Sequence, residues 1–405
     1  LSESEPFEGA AVLREHPGVL GGVLWKSLRD VTAWTETAAA DRAQLFNAQA
    51  AAARPGEVSD AGAEPELWAP LLVIARLLAS PVEVDYARLV NACRAIARWG
   101  ERRGFIAVQL AFTQAAARLA PEHPRLAYSV GRLARDHGEY ARAETWLRAS
   151  IRLARGTDWH TYALAYLSLG TLYQQLGNLP AARAVTLRGL RTTQRRRLRR
   201  LEGTAYHNLC QLAGESGDYA GAQRYAAAAL QRYGAGHPRL PNLAYDMGLA
   251  WFLCGYFDRA LPVLEAVLAH LPESVERAMG LANTARAAAG AGDRERFERY
   301  RVQAEAALAP YGEQPAAAEG WLALARAAVL AGDGERARSA AGRAREIAHA
   351  RRMAQLRLEA DAVAESARDA VPAAVPRGVE ADSVFHEAGE LARRMVQSLA
   401  PAAVG

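Results

Sequence analysis

The sequence predicts an all-α protein, an α-solenoid of about seven helical hairpins with capping helices at its N- and C-terminal ends. Three observations carry this. Seven glycines, Gly104, Gly138, Gly177, Gly217, Gly255, Gly292 and Gly332, recur at spacings of 34, 39, 40, 38, 37 and 40 residues. Each stands between two Ala- and Leu-rich stretches of helical length. Hydrophobic residues make up 51% of the chain while aromatics supply only 7%, so the core is largely alanine, which lets helices approach closely. A period of this kind marks units stacked on their neighbours around one continuous core, and such an array is a simpler account of 405 residues than two or three separate globules.

Residues 1–64 predict an irregular, partly helical opening segment. Val19, Val23, Leu24, Leu28, Val31 and Trp34 recur at helical spacing over about four turns. A second helix is expected over Ala40 to Ala53, and Pro55 to Pro65, rich in Gly, Pro and acidic residues, is expected to be a loop. The solenoid proper is expected over residues 65–366. Its first helix, Leu67 to Ala79, is apolar on most faces and so predicts burial, with Pro70 tolerated in its first turn and Pro81 ending it.

From about Val84 the residues of the repeats show a pattern of their own. The hairpin at Gly177 carries Tyr166, Leu169, Gly170 and Tyr173, then Gly177-Asn178, then Ala182. The next carries Tyr206 and Leu209, then Gly217-Asp218-Tyr219, then Ala222 and Ala229; the one after has Gly248 and Trp251, then Gly255-Tyr256-Phe257, then Ala260. This series resembles the tetratricopeptide repeat family over roughly residues 84–350, and in particular its long-repeat bacterial members. The turn glycine can take positive φ, the small Gly or Ala lets two helices touch, and the aromatic fills the space beside it. Gln109 stands where the family prefers a small residue, and Arg294 and Phe297 stand where it has an aromatic and an alanine. Five of the six spacings exceed the family's 34, so longer helices or longer connections are expected. The resemblance implies a right-handed superhelix with a concave groove lined by outward positions of each first helix. Those positions here are Tyr128, Arg132 and Arg135; Leu167, Thr171 and Gln174; His207 and Gln211; Tyr245 and Leu249; and Arg286. Asn208 and Asn283 resemble amide positions that hold peptide backbone in the family, but the lysines that clamp a terminal carboxylate in its chaperone-binding members are absent.

Beyond about Val363 the register is lost. Residues 367–381, with Pro372 and Pro376, are expected to form a linker, and residues 382–405 an amphipathic helix with Val384, Ala388, Leu391, Met395 and Leu399 on one stripe. That stripe predicts either a cap over the end of the solenoid or a helix that docks into a groove or a neighbouring chain.

Charge and composition narrow the classes. The net charge is +5, yet Lys26 is the only lysine among 49 Lys and Arg residues, a bias expected of a GC-rich coding sequence. Arginine abundance alone is therefore no signal for nucleic acid. The one candidate patch is Arg188, Arg191, Arg195, Arg196, Arg197, Arg199 and Arg200, which either binds phosphates or simply solvates an inter-repeat junction while Leu187, Leu190, Leu198 and Leu201 pack inward. Cys93, Cys210 and Cys254 are odd in number and lie in apolar helical sequence, which predicts free thiols in a reducing compartment. No run of about 18 apolar residues is present, and the expectation is a cytoplasmic protein without a membrane span. The chain opens on Leu1 rather than methionine, which leaves room for an upstream module.

The search for chemistry predicts no enzyme. Gly21-Gly22-Val23-Leu24-Trp25-Lys26-Ser27 places Trp25 where a phosphate-binding loop needs glycine. No two of the nine histidines form an i, i+4 pair around a glutamate, no Cys-x-x-Cys occurs, and no Gly-x-Ser-x-Gly elbow is present. No metal or cofactor is expected. His123-Pro124 and His237-Pro238 are expected to be lead-in turns to first helices. The leading expectation is a non-catalytic scaffold or adaptor that binds a protein or peptide segment in the groove. Two alternatives stand beside it: a regulatory protein that senses a peptide or small ligand, and a structural solenoid that forms homo-oligomers through its terminal helices.

Overall fold

The computed structural model describes residues 9–312, 314–369 and 383–400. Pro372 and Pro376 of the expected linker lie outside them, as does the side chain of Val384. Among the described residues every regular element is helical, and the chain divides into two compact units, Leu1–Leu198 and Arg199–Gly405.

The first unit opens with α1 (Gly9–Glu15), α2 (Val19–Glu36), α3 (Ala48–Asp60) and α4 (Pro65–Ala79). Three hairpins follow: α5 (Tyr86–Arg103) with α6 (Ile106–Leu119), α7 (Pro124–Asp136) with α8 (Tyr140–Ala154), and α9 (Trp159–Gln175) with α10 (Leu179–Arg195). The second unit holds four more: α11 (Arg199–Glu215) with α12 (Tyr219–Tyr233), α13 (Leu240–Leu253) with α14 (Phe257–Leu268), α15 (Val275–Gly290) with α16 (Arg294–Leu308), and α17 (Pro315–Leu330) with α18 (Gly334–Ala350). It ends with α19 (Ala354–Ser366) and α20 (Ser383–Leu399). The seven pacing glycines sit at the seven hairpin turns. The residues beyond a 34-residue period go largely into helix, since α9 and α10 run 17 residues each across a three-residue turn.

All seven turns close in the same way. Each glycine has φ between +73° and +78°, a left-handed geometry that costs an L side chain about 1–2 kcal/mol. The next residue then donates its backbone N–H to the carbonyl five residues earlier: Asn178 to Tyr173 at 2.8 Å, Asp218 to Ala213 at 2.8 Å, Asp293 to Ala288 at 3.0 Å. That bond satisfies a carbonyl the first helix would otherwise leave open at its end. The same residue often starts the second helix. Asn178, Asp218, Asp293 and Asp333 each accept from the amide three residues on, which explains the Gly-Asp/Asn dipeptide as two helix ends sealed by adjacent residues.

Seven residues before each turn glycine stands a small residue facing the partner helix: Ala97, Gly131, Gly170, Cys210, Gly248, Ala285 and Ala325, all buried. A Cβ at Gly131 would lie 2.7 Å from Leu147 Cγ and 2.9 Å from its backbone nitrogen, and one at Gly248 would lie 2.9 Å from Leu264 Cδ2. At Gly170 it would collide with Thr186 Oγ1. On the second helix the matching residues Ala143, Ala182, Ala222, Ala260 and Ala337 are fully buried. The sixth matching position is Phe297, itself only 1% exposed.

The opening segment is more ordered than its composition predicts. The expected Pro55–Pro65 loop is mostly helix: α3 runs through Pro55 and Gly56, capped by Asn47, whose side chain accepts from Gln49 N. The reason is charge pairing that composition hides. Buried Arg54 donates to Asp30 at 2.9 Å and to Glu57 at 2.6 Å, and Lys26 reaches Glu57 at 3.1 Å. The four-turn helix expected from Val19 is α2, with Val23, Leu24, Leu28, Val31 and Trp34 buried and Val19 itself exposed. Pro70 lies at the sixth position of α4, because that helix starts two residues earlier than predicted, at Pro65. Glu15 accepts from Ala107 N at 2.9 Å and Val108 N at 3.0 Å, so the end of α1 caps α6.

At the other end the last repeat-like helix, α19, ends at Ser366. α19 packs on α17 and α18 and covers the last hairpin. α20 turns back to the middle of its unit, packing on α14 with further contacts to α13 and α12. Ala388, Leu391, Met395 and Leu399 are buried there, and His270 Nε2 donates to the Leu399 carbonyl at 2.8 Å.

Two left-handed junctions are made without glycine. Arg197 and Arg352 adopt φ of 56° and 57°, and the residues after them, Leu198 and Met353, make the same backbone closure to Thr193 and Ala348. Replacing either arginine with glycine is expected to raise stability by about 0.5–1 kcal/mol in denaturant unfolding, because relief of left-handed strain exceeds the added chain entropy. Gly131→Ala is expected to cost about 1–3 kcal/mol by overpacking. Gly22→Ala, where a Cβ meets nothing within 4 Å in α2, is expected to gain up to about 1 kcal/mol in the same measurement.

Candidate functional site

The predicted groove residues fall into columns set by the repeat. Arg132, Thr171, Gln211, Leu249 and Arg286 each lie six residues before a turn glycine, and Tyr128, Leu167, His207 and Tyr245 lie ten before. Because side chains four apart share a helix face, the two columns form one stripe on each first helix.

In the second unit this stripe is tied across neighbouring first helices by side-chain hydrogen bonds. Gln211 Nε2 on α11 donates to Asp246 Oδ2 on α13 at 2.9 Å, and His207 Nε2 meets the same oxygen at 2.8 Å. His207 Nδ1 lies 3.2 Å from the Tyr233 hydroxyl, so the imidazole bridges Asp246 and Tyr233. Asn283 on α15 donates to the Tyr245 hydroxyl at 2.9 Å; burial pushes that phenol above its ordinary pKa. Arg326 on α17 pairs with Glu359 on α19 at 2.8 Å.

The stripe on α13 continues from Tyr245 through half-buried Leu249 to Phe252 and to Leu253, which is 62% exposed. It ends at a cavity of about 390 Å³ lined by residues of α13, α14, α15, α17 and α19. Arg286 sits in this lining with its guanidinium carbon 4.2 Å from the Phe252 ring centre. Burial pulls its pKa down to about 10, and the neighbouring charge of Arg326 pushes the same way.

In the first unit Arg135 on α7 donates to Ser168 Oγ on α9 at 2.7 Å and pairs with Asp136 at 2.6 Å. Arg132 pairs with Asp136 at 3.1 Å. Tyr128 is half-buried beside Arg125, and Thr171 donates to the Leu167 carbonyl at 3.3 Å. Gln174 is half-buried on the same helix.

The structure thus separates the predicted residues. Leu167 is 3% exposed and packs against Gly189, and His207 is 4% exposed within its hydrogen-bonded group. Neither side chain offers an outward surface. Both stand ten before the turn glycine, where the stripe meets the adjoining helix and a side chain can turn inward. Tyr128, Arg132, Arg135, Thr171, Gln174, Gln211, Tyr245, Leu249 and Arg286 are all half-buried. Asp246, Phe252 and Arg326 were not singled out. Arg326 did carry a signal, since like Arg286 it stands six before a turn glycine.

Other candidates recede. Lys26 lies within α2, bonded to Glu57, and not in a phosphate loop. Arg188, Arg191, Arg195, Arg196 and Arg197 are exposed in the first unit, where Arg196 stacks over Trp159 at 4.0 Å; Arg199 and Arg200 are exposed in the second. Of the leucines among them Leu190 is buried, while Leu187, Leu198 and Leu201 are half-buried. Cys210 belongs to the His207 and Asp246 neighbourhood, but burial and the Asp246 charge both push its thiol up, the opposite of what a nucleophile needs. Burial likewise pushes Cys93 up to about 12. Among the described residues no three His, Cys, Asp or Glu side chains converge as metal ligands, and no helix is long and apolar enough to cross a membrane.

No family model and no curated protein matches the sequence. Solved structures do. BtubC (BKLC) from P. vanneervenii aligns at 17% identity over 57% of this chain and 94% of its own, with a TM-score of 0.42. A structure from the functional characterisation of Pseudomonas aeruginosa PilF aligns at 14% identity over 54% of this chain and 91% of its own, with a TM-score of 0.43. The apo form of RapI aligns at 12% identity over 87% of this chain and 97% of its own, with a TM-score of 0.47. These likenesses assign no partner.

Proposed function

We propose that the chain is a non-catalytic interaction scaffold that holds a segment of another protein along the stripes of its first helices. The observation that carries this is the second-unit stripe. Tyr245, Leu249, Phe252 and Leu253 form an aromatic and aliphatic row, and the helices bearing it are cross-tied by the Gln211–Asp246 and Asn283–Tyr245 bonds. A row held rigid before binding loses little further entropy on binding, and aromatic and arginine side chains commonly anchor interfaces. Mixed apolar, amide and cationic groups suit an extended or helical peptide better than a small apolar ligand.

Position-specific photo-cross-linking tests this. With p-benzoylphenylalanine at Leu249 or Gln174, a discrete cross-linked protein partner is expected. The same group at Arg224, exposed on second helix α12, is expected to give none. Equal cross-linking from all three positions would contradict the proposal.

A further inference from the structure

We propose that the second-unit cavity is a subsite for an acidic peptide segment, with Arg286 taking a carboxylate and the apolar side chain next to it resting on Phe252, Phe257 and Val363. This rests on the scaffold proposal and adds the chemistry of the partner.

The cavity has two kinds of wall. Phe252, Phe257, Val329, Leu330 and Val363 make it apolar, and the charged groups in its lining are Arg286 and Arg326. The two arginines are not equivalent. Arg326 is neutralised by Glu359 at 2.8 Å. Arg286 forms no ion pair among the described residues, and its Nε has no hydrogen-bond acceptor there. A partly desolvated guanidinium with no counter-ion is unfavourable, and a second cation nearby makes it more so. Stacking on Phe252 offsets part of that cost but supplies no negative charge. Four carbonyls near the ends of α13 and α15 are already taken, by Gly255 and Tyr256 on Phe252 and Trp251, and by Gly292 and Asp293 on Ala289 and Ala288. A carboxylate is the planar, bidentate partner a guanidinium fits best. The volume, about 390 Å³, suits one or two side chains rather than a large ligand. The Tyr245–Leu249 row leads into it, so a bound segment would arrive along the stripe.

The experiment uses the full chain and two fluorescein-labelled peptides in a Gly/Ser frame, one carrying a Glu-Leu pair and the other the same pair with Gln for Glu. Fluorescence anisotropy is expected to show the Glu peptide binding roughly tenfold to a hundredfold more tightly than the Gln peptide. Arg286→Met is expected to abolish that preference while leaving the thermal midpoint at or above that of the unaltered protein, because an unpaired buried charge has been removed. Arg286→Lys, which keeps the charge, is expected to retain part of the preference. The proposal is overturned if the unaltered protein binds neither peptide or both alike, or if Arg286→Met keeps the preference. A lowered midpoint for Arg286→Met also overturns it, since the arginine would then be a structural support. Loss of the subsite with cross-linking at Leu249 intact leaves the scaffold proposal standing; loss of that cross-linking removes the scaffold proposal itself.

Discussion

The whole arrangement depends on how closely two helices can approach within a hairpin. Seven residues before each turn glycine the gap admits only a small side chain, and at three hairpins none at all: Leu147 fills the space above Gly131, Leu264 that above Gly248 and Thr186 that above Gly170. The left-handed turn keeps this contact in register, because its backbone closure consumes the final carbonyls of the first helix and aims the chain back along itself. Together the two features account for the alanine content, the glycine pacing and the Gly-Asp/Asn dipeptides as consequences of a single packing geometry.

From that geometry the candidate site follows. Hairpins closed in this way put first helices beside first helices, so side chains of successive first helices meet across repeats. The Gln211–Asp246, Asn283–Tyr245 and Arg326–Glu359 contacts are the result in the second unit, and Arg135–Ser168 in the first. Each restrains a side chain that would otherwise be mobile on the surface. The exception is Arg286, which stacks on Phe252 but has no counter-ion among the described residues.

Much of this was legible in the sequence, and what was not has identifiable causes. The hairpins were legible because left-handed turns select glycine, and glycine is visible. The closures at Arg197 and Arg352 were not, since surrounding structure holds an ordinary residue in the same strained geometry there. Pro55, Gly56 and the nearby acidic residues suggested a loop, but the buried Arg54–Asp30 pair holds the segment helical across 24 residues of sequence separation. Helical phase placed the predicted residues on the first helices at fixed offsets from the turn glycines. It did not show that Leu167 and His207 turn inward, because that depends on the neighbouring helix. The seat of α20 against α14 and the cavity beside Arg286 lie further from sequence still, each needing elements from several hairpins at once.

If all seven turns are rigid closures rather than loops, residue-resolved hydrogen exchange will show it. The amides of Phe105, Glu139, Asn178, Asp218, Tyr256, Asp293 and Asp333, each bonded to a carbonyl of the preceding helix, are expected to exchange as slowly as amides within the adjoining helices. Exchange at those seven positions at the rate of an unstructured chain, with the helices on either side protected, would contradict it.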